Sequence, residues 1–161
     1  ESNYSVKQLF MQSISGKIIK NKRVQDIHNT IFEECEIVNC TFANLQSVTI
    51  QKCTFINCKS IENDGDTNDK CKILNCVFSE CSITNRSEWN YYEIHYCVFH
   101  NMKFNGFMRN TDLTKNKFNE CTFENGGFQI CNLSDLYLNN NIFRLVIHDK
   151  PFLCSEFISE S

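Results

Sequence analysis

Proline occurs once and glycine only five times in the 161 residues, so chain reversals must be made mainly by other residue types. No run of 18 or more apolar residues is present, and no segment reads as a membrane-spanning helix. The opening residues lack the charged stretch, apolar core and small-residue cleavage site of a secretory signal. Neither sign of charge dominates: the net charge is −3 and the pI about 5.8. Neutralising phosphates takes clustered Lys and Arg, so the balance argues against a nucleic-acid-binding surface. Tryptophan occurs once, at Trp89.

What is abundant is phenylalanine, with fourteen, and cysteine, with eleven. The length suits one domain with a continuous core. Large apolar residues recur every five positions: Phe32, Ile37, Phe42; Ile50, Phe55; Ile73, Phe78, Ile83; Ile94, Phe99, Phe104. The step then runs through Leu113, Phe118, Phe123, Phe128, Leu133, Leu138 and Phe143. Five is neither the 3.6 of a helix nor the 2.0 of a strand. A solenoid of square cross-section, one pentapeptide per side, accounts for it.

The cysteines give the same register. Cys35, Cys40, Cys53, Cys58, Cys71, Cys76, Cys81, Cys97, Cys121 and Cys131 each lie two residues before a centre, or before the place where one is due, as Ser60 is for Cys58. Only Cys154 departs from this rule. Both positions face the lumen, where the second must be small, and a free Cys is a small hydrophobe. The core expected from this register includes Phe32, Cys40, Phe42, Cys53, Phe55, Cys76, Phe78, Phe99, Phe104, Phe118, Cys121, Phe123, Phe128 and Leu133. Two positions after many centres stands Asn, at 39, 57, 75, 85, 101, 125 and 140. Asn accepts left-handed backbone readily, which suits corners.

The segments Cys40-Thr41-Phe42-Ala43-Asn44, Cys53-Thr54-Phe55-Ile56-Asn57 and Cys121-Thr122-Phe123-Glu124-Asn125 resemble the A-(D/N)-L-x-x repeat of the pentapeptide-repeat family. Cys stands for the usual Ala and Phe for Leu. The resemblance implies an all-β fold, a right-handed quadrilateral parallel β-helix of about twenty residues per coil. It covers roughly residues 27–148. Six coils at about 4.8 Å each make a rod of roughly 29 Å.

Regular runs begin at 32, 50, 73, 94, 113 and 133, at steps of 18, 23, 21, 19 and 20 residues. The early coils therefore have three regular sides and an irregular fourth. The irregular stretches, Leu45 to Val48, Ile61 to Lys70, Thr84 to Tyr92 and Asn105 to Asn110, are expected to stack on one face. Insertions on a repeat scaffold commonly mark the working surface. That face gathers Arg86, Trp89, Tyr91, Tyr92, Phe107, Met108 and Arg109, residue types enriched at protein interfaces, and these are the candidate partner-binding residues. Ahead of the repeats, Ser5 to Gln8 reads as a capping box followed by Val6, Leu9, Phe10 and Ile14 at helical spacing, with Gly16 as the stop. The expectation is a capping helix and lead-in over 1–26, the solenoid over 27–148, and a cap or tail over 149–161.

Cofactor and metal chemistry is not expected. The C-x4-C spacing sends neighbouring cysteines to different sides, and thiols stacked coil on coil stand too far apart for a disulfide. Reduced core thiols favour a reducing compartment, a cytoplasm or a host cytosol; a secreted or luminal setting stays open. Asp64 to Asp69 echoes a calcium loop, but lacks its sixth-position Gly and has Asn75 where the bidentate Glu belongs. The sequons at Asn3, Asn39, Asn85 and Asn132 are the number an Asn-rich chain produces by chance. His28, His95, His100 and His148 build no nucleophile–base arrangement, so no enzyme is read.

The reading that follows is a non-catalytic scaffold binding a protein partner through the irregular face. A helix followed by coils resembles the β-helix module of bacterial effectors, which implies recruitment of a host protein. The first alternative is a DNA-mimicking modulator of DNA gyrase, as other pentapeptide-repeat proteins are. Against it, Glu33, Glu36, Glu93 and Glu124 are interleaved with Lys59, Lys72, Lys103 and Lys117. The second is a luminal ectodomain resembling that of synaptic vesicle glycoproteins. Dimerisation through the C-terminal coils is open.

Overall fold

The computed structural model describes residues 3–5, 12–63, 70–83, 89–146 and 157–159. They form an all-β parallel solenoid of about six coils, with no helix among the described residues. Every strand pair is parallel, and each strand pairs with the equivalent one in the next coil. The square has four sides. Side 1 is a five-stranded sheet running from Gln12–Ser15 through Thr30–Glu33, Thr49–Gln51 and Cys71–Leu74 to Tyr92–His95, continued by single bridges at Asp112 and Asn132. Side 2 is an eight-stranded sheet from Ile18–Lys20 to Phe157–Ser159. Sides 3 and 4 share one nine-stranded sheet, whose strands bend at the corner between them.

The five-residue step is a burial pattern. Phe32, Phe42, Phe55, Phe78, Phe99, Phe118 and Phe128 are fully buried, as are ten cysteines, all free. Like centres stack along each side: Phe55 on Phe78 at 4.5 Å, Phe78 on Phe99 at 4.9 Å, and Phe99 on Phe118 at 4.6 Å between ring centroids. Between sides the rings meet edge-on, as Phe99 and Phe104 do at 6.0 Å. Both are favourable aromatic geometries.

The corners explain why so little glycine suffices. Among the described residues twenty-two non-glycine residues have positive φ, including Asn39, Asn57, Asn75, Asn101, Asn125 and Asn140. The corner also sets the chemistry of the position two before each centre. The backbone N–H of Cys35 donates to Cys53 Sγ at 3.4 Å, and that of Cys58 to Cys81 Sγ at 3.3 Å. The thiols in turn donate to nearby carbonyls, as Cys53 Sγ does to Gln51 O at 3.3 Å. A residue here must be small and able both to accept and to donate. Thr111 does so, its hydroxyl accepting from Tyr92 N and donating to Arg109 O. Asn116 does so as well, accepting from Cys97 N at 2.9 Å and donating to Ile94 O and Leu113 O, both at 2.7 Å.

Packed in these ladders, Cys35, Cys40, Cys53, Cys58, Cys76 and Cys121 resist ionisation, whereas the hydrogen bond with Cys58 pulls Cys81 down. The hydrogen bond with Cys76, and then burial, push Cys53 up. For Cys76 the bond with Cys53 favours the thiolate, but the bond with Cys97 and burial outweigh it, and the group is pushed up to about 12. Burial, with a smaller push from the Glu120 charge, raises Cys121 to about 11.

Three expectations are corrected. Gln12–Ser15 is a side 1 strand paired with Thr30–Glu33, and Asn3–Ser5 pairs with Arg23–Gln25, so a helix does not occupy these positions; residues 6–11 lie outside the described residues. Gly16, at φ 64, is a corner and not a helix stop. The reason lies in the register: Ile14, Ile19 and Val24 align with Phe32, Ile37 and Phe42, so the coils begin well before residue 27. Thirdly, the centre due at Ser60 is filled by Ile61. Ser60 bulges at φ 53, the register shifts there, and the apolar neighbour turns inward.

Candidate functional site

The irregular stretches, as far as they are described, do share one side. Ile27 aligns with Leu45 and Leu45 with Asn63; further along, Trp89 aligns with Met108 and Met108 with Phe128. This is side 4. Arg86 lies outside the described residues, and for Trp89 the description is limited to the backbone.

The candidate residues then divide. Tyr92 and Met108 are core, at 0% and 3% exposure, and are not surface contacts. Tyr92 takes the inward position two before Ile94, where most coils have Cys or Thr, and its hydroxyl reaches the carbonyl of Ile61 at 3.4 Å. Met108 is turned inward by a register shift between Asn105 and Phe107, at Gly106. Phe107, Arg109 and Tyr91 are half-buried on the outside. The Arg109 guanidinium lies 4.4 Å over the Phe107 ring, and its Nε donates to Gln129 Oε1 at 2.7 Å, which fixes a planar cationic plate on side 4.

Beside the plate, at the corner between sides 4 and 1, is a groove of about 430 Å³ lined by Lys70, Tyr91, Asn110, Thr111, Asp112, Ile130 and Asn132. Asn110 Nδ2 donates to Asn90 Oδ1 at 3.1 Å, and Asp112 Oδ1 accepts from the Thr114 backbone at 3.2 Å. His95 stands near Asp112, Nε2 to Oδ2 at 3.8 Å. Among the described residues no three His, Cys, Asp or Glu converge as metal ligands.

Ile130 was not among the residues expected at the site. It is 67% exposed and holds φ at 54°, the one β-branched residue with positive φ among the described residues. Left-handed backbone costs a non-glycine residue about 1–2 kcal/mol, and for a β-branched one it is an outlier. Asn110 occupies the equivalent corner one coil earlier at φ 50, and Tyr91 the one before it at φ 59. The chain thus carries an aromatic and a branched aliphatic where Asn is the low-strain choice.

The five-residue burial step, the thiol ladders and the positive-φ corners together decide the architecture. It is a parallel β-solenoid of about six coils with a five-residue step. No protein-family model and no curated protein matches the chain. Among solved structures, two trypsin-treated forms of QnrB1, a plasmid-mediated fluoroquinolone resistance protein, align at 12% identity. One covers 88% of this chain and 93% of its own with a TM-score of 0.30, the other 94% of each with 0.27. Full-length QnrB1 aligns at 15% identity over 94% of this chain and 95% of its own, with a TM-score of 0.19. Overlaps this loose carry no functional comparison, and the solenoid's site stands on its own geometry.

The remaining motifs fall as follows. The Asp64 to Asp69 loop and Asn85 lie outside the described residues. Asn39 Nδ2 is engaged by Asn21 Oδ1 at 2.7 Å, and Asn132 Oδ1 accepts from Ser134 at 2.8 Å. No helix among the described residues is long and apolar enough to cross a membrane.

Proposed function

We propose that the chain is a non-catalytic scaffold that binds a protein partner in the groove between sides 4 and 1. The observation that carries this is Ile130, an exposed apolar side chain held on strained backbone at the groove's rim. Strain of this kind persists where the surrounding structure enforces it, and it clusters at ligand clamps. Tyr91, Phe107 and Arg109 add aromatic and guanidinium surface of the kind that dominates binding hot spots. Recruitment of a host protein, as by a bacterial effector's recognition module, is the finer form of this reading. A luminal ectodomain remains the setting in which the sequons would matter.

Mimicry of DNA against gyrase is the weaker reading, because the outward charges alternate. Lys72 lies in register with Glu93, and Arg144 pairs with Glu124 at 3.0 Å. Self-association, if used, would employ the C-terminal coil, where Ile142 and Phe143 are 47% and 42% exposed.

The test is site-specific photo-crosslinking in lysate, with the crosslinking residue at position 130 and, as control, at Val77 on side 2. The expected result is a discrete protein adduct from 130 and none from 77. Adducts from 77 alone would place binding on another side. No adduct at either, together with inhibition of gyrase supercoiling, would put DNA mimicry first.

A further inference from the structure

At the opposite corner of the square, between sides 2 and 3 in the first coil, the solenoid collects positive charge. Lys20 and Arg23 are exposed there, and Lys22 is half-buried between them. Lys22 and Arg23 line a recess of about 310 Å³ together with Asn21, Asn39 and Thr41, with no carboxylate in its wall, and Lys20 ends the adjoining side 2 strand. Among the described residues, Asp26 Oδ1 accepts from Asn44 Nδ2 at 3.0 Å, and Glu36 lies on side 2, in register with Ile18. Among the described residues neither Lys20 nor Arg23 has an ion-pair partner.

The corner adds a second, independent feature. Asn57 Nδ2 donates to Asn39 Oδ1 at 3.5 Å, and Asn39 Nδ2 donates to Asn21 Oδ1 at 2.7 Å. The ladder runs in one sense, so its amide dipoles add, and it ends on the Asn21 amide group as a terminal donor. Chained hydrogen bonds polarise one another, which makes that end electropositive. Two cations and the donor end of an amide ladder thus meet at one recess, beside Thr41, with Lys20 on the adjoining strand.

We propose that this corner is an oxyanion site for a phosphate ester. Arg23 supplies the bidentate fork suited to phosphate, Lys20 and Lys22 supply charge, and Asn21 and Thr41 supply neutral donors. The chemistry is shared by a small phosphorylated molecule and by a nucleic-acid backbone. The site is diagonal to the protein-binding groove and independent of it.

The experiment titrates the ¹⁵N-labelled protein with pyrophosphate at low ionic strength, following the side-chain amides of Asn21 and Asn39. A short single-stranded oligonucleotide is titrated in parallel. Saturable shifts at both amides are expected, with affinity falling at least about tenfold in an Arg23→Gln/Lys20→Gln double variant. A Lys103→Gln control, on side 3 further along the rod, should change it less than about twofold. An oligonucleotide that binds more tightly than pyrophosphate through the same residues would identify the backbone as the source; the reverse would identify the small phosphate. Shifts that do not saturate, that miss both amides, or that fall equally in the control would overturn the site.

Discussion

Gly126 stacks directly on Gly106 of the preceding coil. A methyl group at Gly126 would stand 1.7 Å from the Gly106 carbonyl oxygen, 2.1 Å from its carbonyl carbon and 2.8 Å from its Cα. The obstruction is backbone, so no rotamer change relieves it. Even a close carbon–oxygen contact needs about 3.3 Å, so the coils must part by roughly 1.6 Å at this point. Neighbouring pairs of the same ladder, Phe107 with Gly127 and Met108 with Phe128, would then stretch beyond hydrogen-bonding distance. Losing two or three buried backbone bonds, with the groups left unmet, predicts that Gly126→Ala destabilises by about 3–5 kcal/mol. Gly16 isolates the other effect of an added methyl: its φ is 64 and nothing lies within 4 Å of the new atom. Gly16→Ala should therefore cost only about 1 kcal/mol of left-handed strain. Urea denaturation followed by circular dichroism measures both variants. A Gly126→Ala protein within about 1 kcal/mol of wild type, or no less stable than Gly16→Ala, would refute the close coil contact.

The ladder position yields a rescue experiment. Asn116→Ala removes three buried hydrogen bonds and should cost about 3 kcal/mol, whereas Asn116→Cys restores the residue type of the preceding coils and should recover most of it in the same assay. The thiols predict a loss of stability in alkali. The folded pKa values of Cys76 and Cys121 are raised above the ordinary value of about 8.5, so their contribution is full below that pH and declines as pH rises toward the folded values. Between roughly pH 8.5 and 11, Cys76 and Cys121 together should remove about 2.7 kcal/mol per pH unit; a flat stability profile over that range contradicts the assignment. A chain that associates through its last coil should become monomeric as Ile142→Lys/Phe143→Lys, read by light scattering.

The repeat was legible because its signal is geometric: a large residue every fifth position and a small one two before it have one economical explanation. Applied to Tyr92, two before Ile94, the same rule points inward, but its company with Trp89 and Arg86 in an insertion put it among the surface candidates. Met108 was not legible. Its inward turn depends on a local register shift at Gly106, which composition does not announce. The first coil was hidden for a different reason. Lys17 and Lys22 stand in the register of Cys35 and Cys40, and without the cysteine mark Ile14, Leu9 and Phe10 read as a helical face. Ile130 did leave a signal: it sits two after Phe128, where Asn125 and Asn140 follow Phe123 and Leu138. An isoleucine at a corner position is what a strained site looks like in sequence.

The most direct measurement is therefore Ile130→Asn, read for both stability and crosslinking from position 91. Relief of the left-handed strain should raise stability by about 1 kcal/mol while the protein adduct is lost. An adduct of undiminished yield would contradict the claim that the strained corner exists for binding, and a fall in stability would contradict the strain itself.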